Sequence, residues 1–416
     1  MGVVTLGAAL LLGCGQGSAP EADVGANAGR SGALDLAVET DIVEQDAAER
    51  VSSDAGIGGR ASPEVEDPRA LYELEHWRHA WHVAVRDHLR AHAAAGDGRA
   101  QLALAVLPLE STRKPTDPTM LALHEKKRKA DRAEAFARAL EMMPDDPLAN
   151  WLAAAECDPV DPSCDRQAWD ARLQALEPDN AAVWLSELQR AQAAGDDAAV
   201  DAALERMAQA SFQDAHVTDL SRMLADQLAA VASPVPSPQV AAAAGEQMGL
   251  GRPATADEMK LVEVNATWAA FALPAFQGLT RACRPPLPPA RTGLCQGAAS
   301  RVASGDTLIE RLIGLVTQVR LSAGSAGGAV WRESLRQHYW QHEALSRQFQ
   351  QGVPVGYTER MLQQGEMAAI QWLLEQRGQS QSPPGWLPSN PRQRALVITG
   401  RDPHGDENAP VPPPPP

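Results

Sequence analysis

Five histidines crowd one stretch of the chain, "EHWRHAWHVAVRDHLRAH", Glu75 to His92. Two imidazoles four residues apart on a helix share a face and can chelate a divalent metal. His88 and His92 have that spacing, with Asp87 and Glu75 near in sequence. A second pair, His338 and His342, stands in "RQHYWQHEALSRQ" beside Glu343. This is not the HExxH of zinc proteases, because position 346 is Ser. The two pairs form one metal or acid–base site only if their helices meet in space. The same residues support a plainer reading. Leu74, Trp77, Trp81, Val85 and Leu89 recur at spacings of three and four, the buried stripe of an amphipathic helix. The first histidines then fall on its borders, where they can make local stability pH-sensitive. His338 and His342, with Tyr339 and Trp340, read as surface or groove lining.

A third group is basic. "RKPTDPTMLALHEKKRKADR" gathers Arg113, Lys114, Lys126, Lys127, Arg128, Lys129 and Arg132. In a chain of net charge −16 this is a local patch that can meet phosphate or an acidic partner, or simply solvate a helix face. No GxGxxG, P-loop or GxSxG is present. The favoured expectation is therefore no enzyme, no cofactor and no nucleic-acid partner.

The elements that must hold these residues are helices. Alanine and leucine dominate from about 67 to 379, aromatics are 4% of the chain, and no stretch alternates apolar with polar as a half-buried strand would. The expected fold is all-α. Among the expected helices are Asp67–Ala95, Pro118–Met142, Ala256–Ala282, Gln296–Ala303 and Tyr357–Arg377. Residues 14–65 are rich in Gly, Ala, Ser, Asp and Glu. Between Gly15 and Glu66 eleven carboxylates face only Arg30, Arg50 and Arg60, which supplies half of the net charge. Such a composition predicts a disordered acidic linker. From 380 to 416 the chain is proline-rich, ending in five prolines, and reads as a loose tail.

"ALEMMPDDPLANWL" and "ALEPDNAAVWL" place Pro144 and Pro178 34 residues apart. Trp184, Gly195-Asp196, Val200, Leu204 and Met207 follow at matching offsets. Residues 118–210 resemble tetratricopeptide repeats, which implies antiparallel helical hairpins stacked as a solenoid over 66–210. The 34-residue period fades after 210, so 211–379 is either further repeats or a helical bundle.

Val3 to Leu12 is an apolar run of about ten residues, too short to span a bilayer and right for the core of a secretory signal. Leu11-Leu12-Gly13-Cys14 resembles the lipobox of bacterial lipoproteins. That resemblance implies a signal peptide over 1–13, lipidation at Cys14 and a membrane anchor facing the periplasm. Gly15, where an Asp would favour inner-membrane retention, implies the outer membrane. The chain as a whole resembles helical lipoproteins of Gram-negative bacteria, a likeness that brings no activity with it. Cys157, Cys164, Cys283 and Cys295 then remain as two local pairs, "CDPVDPSC" and "CRPPLPPARTGLC". An even number in an exported chain predicts disulfides, and neither pair has the CxxC spacing of zinc ligands. The functional expectation is a membrane-anchored scaffold binding a protein or peptide partner in the envelope. Its rivals are a metal-dependent or acid–base enzyme built on the histidine helices, and an inhibitor or immunity-type lipoprotein.

Overall fold

A computed structural model describes residues 68–107, 117–157, 164–269, 274–350, 352–354 and 356–401. The signal-like run, Cys14, the acidic linker and the last residues lie outside the described residues. Among these, the chain is all-helical, with 17 helices and no strand.

Local chemistry explains where most helices start. The first, α1, is Pro68–Ala94, and its stripe Leu74, Trp77, Trp81, Val85 and Leu89 is buried as the periodicity predicts. Helix α2, Gly98–Val106, begins where the Asp97 carboxylate accepts from the Arg99 and Ala100 N–H groups. Helices α3 (Pro118–Met142), α4 (Pro147–Glu156) and α5 (Arg166–Leu176) are capped in the same way by Asp117, Asp146 and Asp165. A short 3-10 turn, Ala181–Trp184, leads into α6 (Leu185–Ala194), which stops at Gly195, and α7 is Asp197–Gln209. The 34-residue period reappears as backbone geometry. Met143, after α3, has φ −134° and ψ 62°, and Glu177, after α5, has φ −135° and ψ 62°.

The remaining helices are α8 (Val217–Ala229), α9 (Pro238–Gln247), α10 (Ala256–Ala269), α11 (Gln277–Ala282), α12 (Pro289–Val302) and α13 (Leu308–Leu321). They are followed by α14 (Gly328–Phe349), α15 (Tyr357–Gln364), α16 (Glu366–Gln376) and α17 (Pro391–Thr399). Neighbours in sequence pack as hairpins from α1 to α5, and α6 packs on α7. Beyond α7 the chain turns back. Helix α8 lies against α2, α10 and α15, and α9 lies against α1. The Trp77 indole N–H donates to the Pro234 carbonyl at 2.8 Å, and the Ser237 hydroxyl donates to Glu73 at 2.8 Å. The cause is the breadth of the α1 stripe, which α2 alone does not cover. Meanwhile α12 fills the space between α7 and α13, building a second core with α6 and α11.

Both cysteine pairs are disulfides. Cys157–Cys164 joins the end of α4 to the entry of α5, with Cα atoms 5.3 Å apart. Cys283–Cys295 ties the end of α11 to the middle of α12 at 5.4 Å.

Three expected boundaries differ. The helix expected over Ala256–Ala282 is two, α10 and α11, with Pro274 between them; a proline inside a helix removes a hydrogen bond and clashes with the preceding turn. Helix α12 starts at Pro289 rather than Gln296, because proline is well suited to the first helical position. The expected Tyr357–Arg377 helix breaks at Gly365, which has φ 90° and ψ 162°, a region open essentially to glycine alone. Part of the expected loose tail is also ordered. Residues 380–401 carry α17, capped by Asn390 and packed on α13 and α14, and the Trp386 ring meets Trp340 edge-on at 5.3 Å.

Gly365 supports a direct prediction. A Cβ there would stand 2.7 Å from the Thr218 hydroxyl and 3.2 Å from the Asp306 carboxylate, in a backbone conformation L residues avoid. Gly365→Ala should lower unfolding free energy by about 1–3 kcal/mol in urea titrations, from backbone strain alone. A loss under about 0.5 kcal/mol would show that the break between α15 and α16 is not held at this position.

Candidate functional site

The first candidate is a groove on the α1–α2–α3 face. Helix α2 is its floor: Leu102 and Ala103 are fully buried, and the Gln101 amide donates to the Ala135 carbonyl of α3 at 3.3 Å. The Arg99–Asp146 ion pair ties α2 to the start of α4. These anchors hold the C-terminal half of α1 and the long α3 apart as walls around a space of about 690 Å³. Into it face Arg86 and Arg90 from α1 and Arg128, Arg132 and Arg138 from α3, against Asp131, Glu134 and Glu141. Leu104, Val106, Leu107 and Met142 give it apolar surface.

Some of these cations are already engaged. Arg138 pairs with Glu134, and Arg132 meets Glu156 at 2.7 Å. Burial lowers the Arg132 pKa against the pull of Glu156, with Arg128 adding to the lowering. Others have capacity to spare. Arg90 and Arg128 have no carboxylate partner among the described residues, and the buried Arg86 Nε has no hydrogen-bond acceptor, with Asp87 at 3.8 Å. Guanidinium groups present planar donor forks suited to carboxylate and phosphate. The arrangement can hold an anionic ligand that also carries apolar groups.

The second candidate is a buried polar junction where the turns before α8 and α13 meet the break at Gly365. His216 is 3% exposed and sits at φ 56°, a left-handed conformation that His tolerates better than most residues. Its Nε2 meets Glu177 at 2.8 Å and its Nδ1 meets Asp219 at 3.4 Å. Burial pushes its pKa down, but the bonds to Asp219 and Glu177 outweigh that and raise it to about 10. The ring packs edge-on against Trp151, which also touches both large cores. Behind it the Thr218 hydroxyl donates to Asp306, and the Gln213 amide donates to the fully buried Glu310 at 2.9 Å. Thr307 and Glu310 form the capping box of α13, and the Leu308 N–H donates to Glu366 at 2.7 Å. Burial raises both glutamates to about 7.

Among the described residues, Asp214, His216 and Asp219 are the one group of three potential metal ligands, within 4.8 Å of one another. Both ring nitrogens of His216 already face carboxylates, and one of these, Asp219, lies in the first turn of α8, where free N–H groups favour negative charge. The imidazolium is thus the counter-charge, and the cluster acts as a structural clamp.

The residues singled out from sequence are dispersed. The His88 and His92 rings lie 4.3 Å apart on α1, half-buried and exposed respectively. His338 is 4% exposed within α14; burial, with the charges of His342 and Arg311, lowers its pKa to about 3. His342 is half-buried one turn on. Helix α1 packs on α2 and α9, whereas α14 packs on α13, α16 and α17. Lys126, Lys127 and Lys129 are exposed, with Lys127 paired to Asp131 at 2.5 Å, while Arg128 and Arg132 of that patch line the groove; Arg113 and Lys114 lie outside the described residues. Sequence reading did not single out Arg86, Arg90 or His216. Arg86 and Arg90 were legible as one face of α1, since they are four residues apart.

No protein-family model, no curated protein and no solved structure matches the chain.

Proposed function

We propose that this chain is an exported, lipid-anchored helical scaffold that holds an acidic, partly apolar segment of a protein partner in the groove between α1, α2 and α3. The observation that carries the reading is the groove itself: five arginines against three carboxylates, over apolar surface, in a chain of net charge −16. In this reading Cys14 is the lipidated residue and the outer membrane is the favoured site, on the lipobox resemblance. The two disulfides suit the oxidising periplasm. No described helix is long and apolar enough to cross a membrane. The hairpins over 118–210 belong to the tetratricopeptide-like part of the scaffold, a reading supported by the matched turns at Met143 and Glu177.

The test is cross-linking of the intact chain in its own envelope, read against two variants. Cys14→Ser should move the protein to the soluble fraction; retention on membranes would place the anchor elsewhere. Arg90→Glu with Arg128→Glu should leave membrane attachment intact and weaken partner capture by roughly tenfold or more, equivalent to about 1.4 kcal/mol. Capture by the unaltered chain should fall steeply with salt, because exposed charge pairs are screened, and capture by the double variant should depend on salt much less. Capture unchanged by the double reversal would remove the groove from the binding site.

A further inference from the structure

The geometry points to a resident occupant of the groove: the chain's own acidic segment from Leu34 to Glu49. This inference rests on the reading of the groove as a binding site and adds its regulation. The segment carries six carboxylates and no basic residue. Leu36, Val38 and Ile42 are interleaved with them. That pairing of negative charge with branched aliphatics complements what the groove offers: Arg90 and Arg128 without carboxylate partners, an unsatisfied Arg86 Nε, and the apolar Leu104 and Met142.

The segment can reach. Arg86 and Arg90 lie 18 and 22 residues into α1 from Pro68, about 27–33 Å along the helix at 1.5 Å per residue. The seventeen residues from 51 to 67 can span up to about 56–61 Å. A tethered segment acts at an effective concentration on the order of millimolar, so modest affinity is enough to fill the site.

Two other segments outside the described residues fit less well. Residues 108–116 join α2 to α3 in sequence but carry Arg113 and Lys114 against Glu110, the wrong sign. Residues 402–416 follow α17, which packs on α13 and α14, away from this face. The acidic segment is therefore a built-in competitor. A partner gains the groove only by displacing it, and displacement frees the tether between Cys14 and α1 to its full length.

The test uses the full chain with Cys14→Ser and a fluorescent peptide of residues 31–52, read by anisotropy at low salt. In a second chain the six carboxylates from Asp35 to Glu49 are changed to Asn or Gln. The neutralised chain should bind the peptide at least tenfold more tightly than the unaltered chain. Adding Arg90→Glu and Arg128→Glu to the neutralised chain should abolish that binding. Equal binding by the first two chains would overturn self-occupancy while leaving the groove as a binding site. No binding by either would overturn both readings. A photo-cross-linker at Val38 should join Leu104 or Met142 within one chain; cross-links found only between copies would overturn the intrachain form.

Discussion

Replacing His216 by Gln should destabilise the fold by about 3–5 kcal/mol, the usual cost of removing one partner from a buried ion pair. The His216 side chain is 3% exposed and that of Glu177 is 14% exposed, so neither is hydrated enough to tolerate loss of the other. The imidazolium answers two carboxylates at once, Glu177 through Nε2 and Asp219 through Nδ1; burial raises the pKa of nearby Asp214, and the His216 charge only partly offsets that rise. Glutamine is neutral and presents its donors from a single nitrogen, so it leaves these charges uncompensated. Asp219 is 42% exposed and its share is screened by solvent, which makes Glu177 the principal partner. In a body of this size the loss corresponds to a fall in melting midpoint of roughly 5–10 °C. His216→Asn controls for the backbone, since Asn also accepts the left-handed conformation. A cycle with Glu177→Gln isolates the pair. A loss under about 1 kcal/mol, or additive single and double variants, would show that the clamp carries little of the stability.

The helices were legible because their signals are local. The α1 stripe repeats every three or four residues, and Asp97, Asp117, Asp146 and Asp196 each stand just before a helix whose N–H groups they accept from. Proline marks helix starts here as well as loops. The four prolines of "CRPPLPPARTGLC" look like pure loop, yet Pro289 opens α12; "SPPGWLPSNPR" looks like tail, yet Asn390 and Pro391 open α17. The two sites were hidden for a different reason. His216 takes partners from Glu177, 39 residues upstream, while its neighbour Thr218 reaches Asp306, 88 residues downstream. No spacing rule links these positions. In the groove, Arg128 belonged to a visible basic run, but Arg86 and Arg90 were masked by the histidines around them. Their convergence with α3 exists only because α2 folds back between the two long helices.

The same junction sets a pH dependence with a definite sign. Glu310 and Glu366 have folded pKa values near 7, above those of free glutamates, because burial penalises the charged form. Glu366 is partly exposed as a residue, but its carboxyl group is enclosed and takes the Leu308 N–H. Groups of this kind hold their proton more firmly in the fold, so stability declines as pH rises from about 4.5 to about 7 and is level beyond. His216 acts in the same direction higher up: its contribution is complete below pH 6.5 and is lost as pH climbs towards about 10. His338 opposes both. Its pKa of about 3 means that the unfolded chain takes up a proton first, so stability falls as pH drops below 6.5. Glu177 and Asp219 add to that acid loss. Burial favours protonation of Glu177, but its bond to His216 wins and lowers its pKa; Asp219 is lowered first by the same ring. The melting midpoint should therefore peak at mildly acidic pH, near 5–6, and decline on either side. Glu366→Gln separates the contributions, since its amide oxygen can still accept from Leu308. It should change stability little at pH 5 and raise it at pH 8 by on the order of 2 kcal/mol relative to the unaltered chain, flattening the curve between those values. Parallel curves for the two chains would mean that Glu366 ionises freely in the fold and that the decline with rising pH belongs to Glu310 and His216.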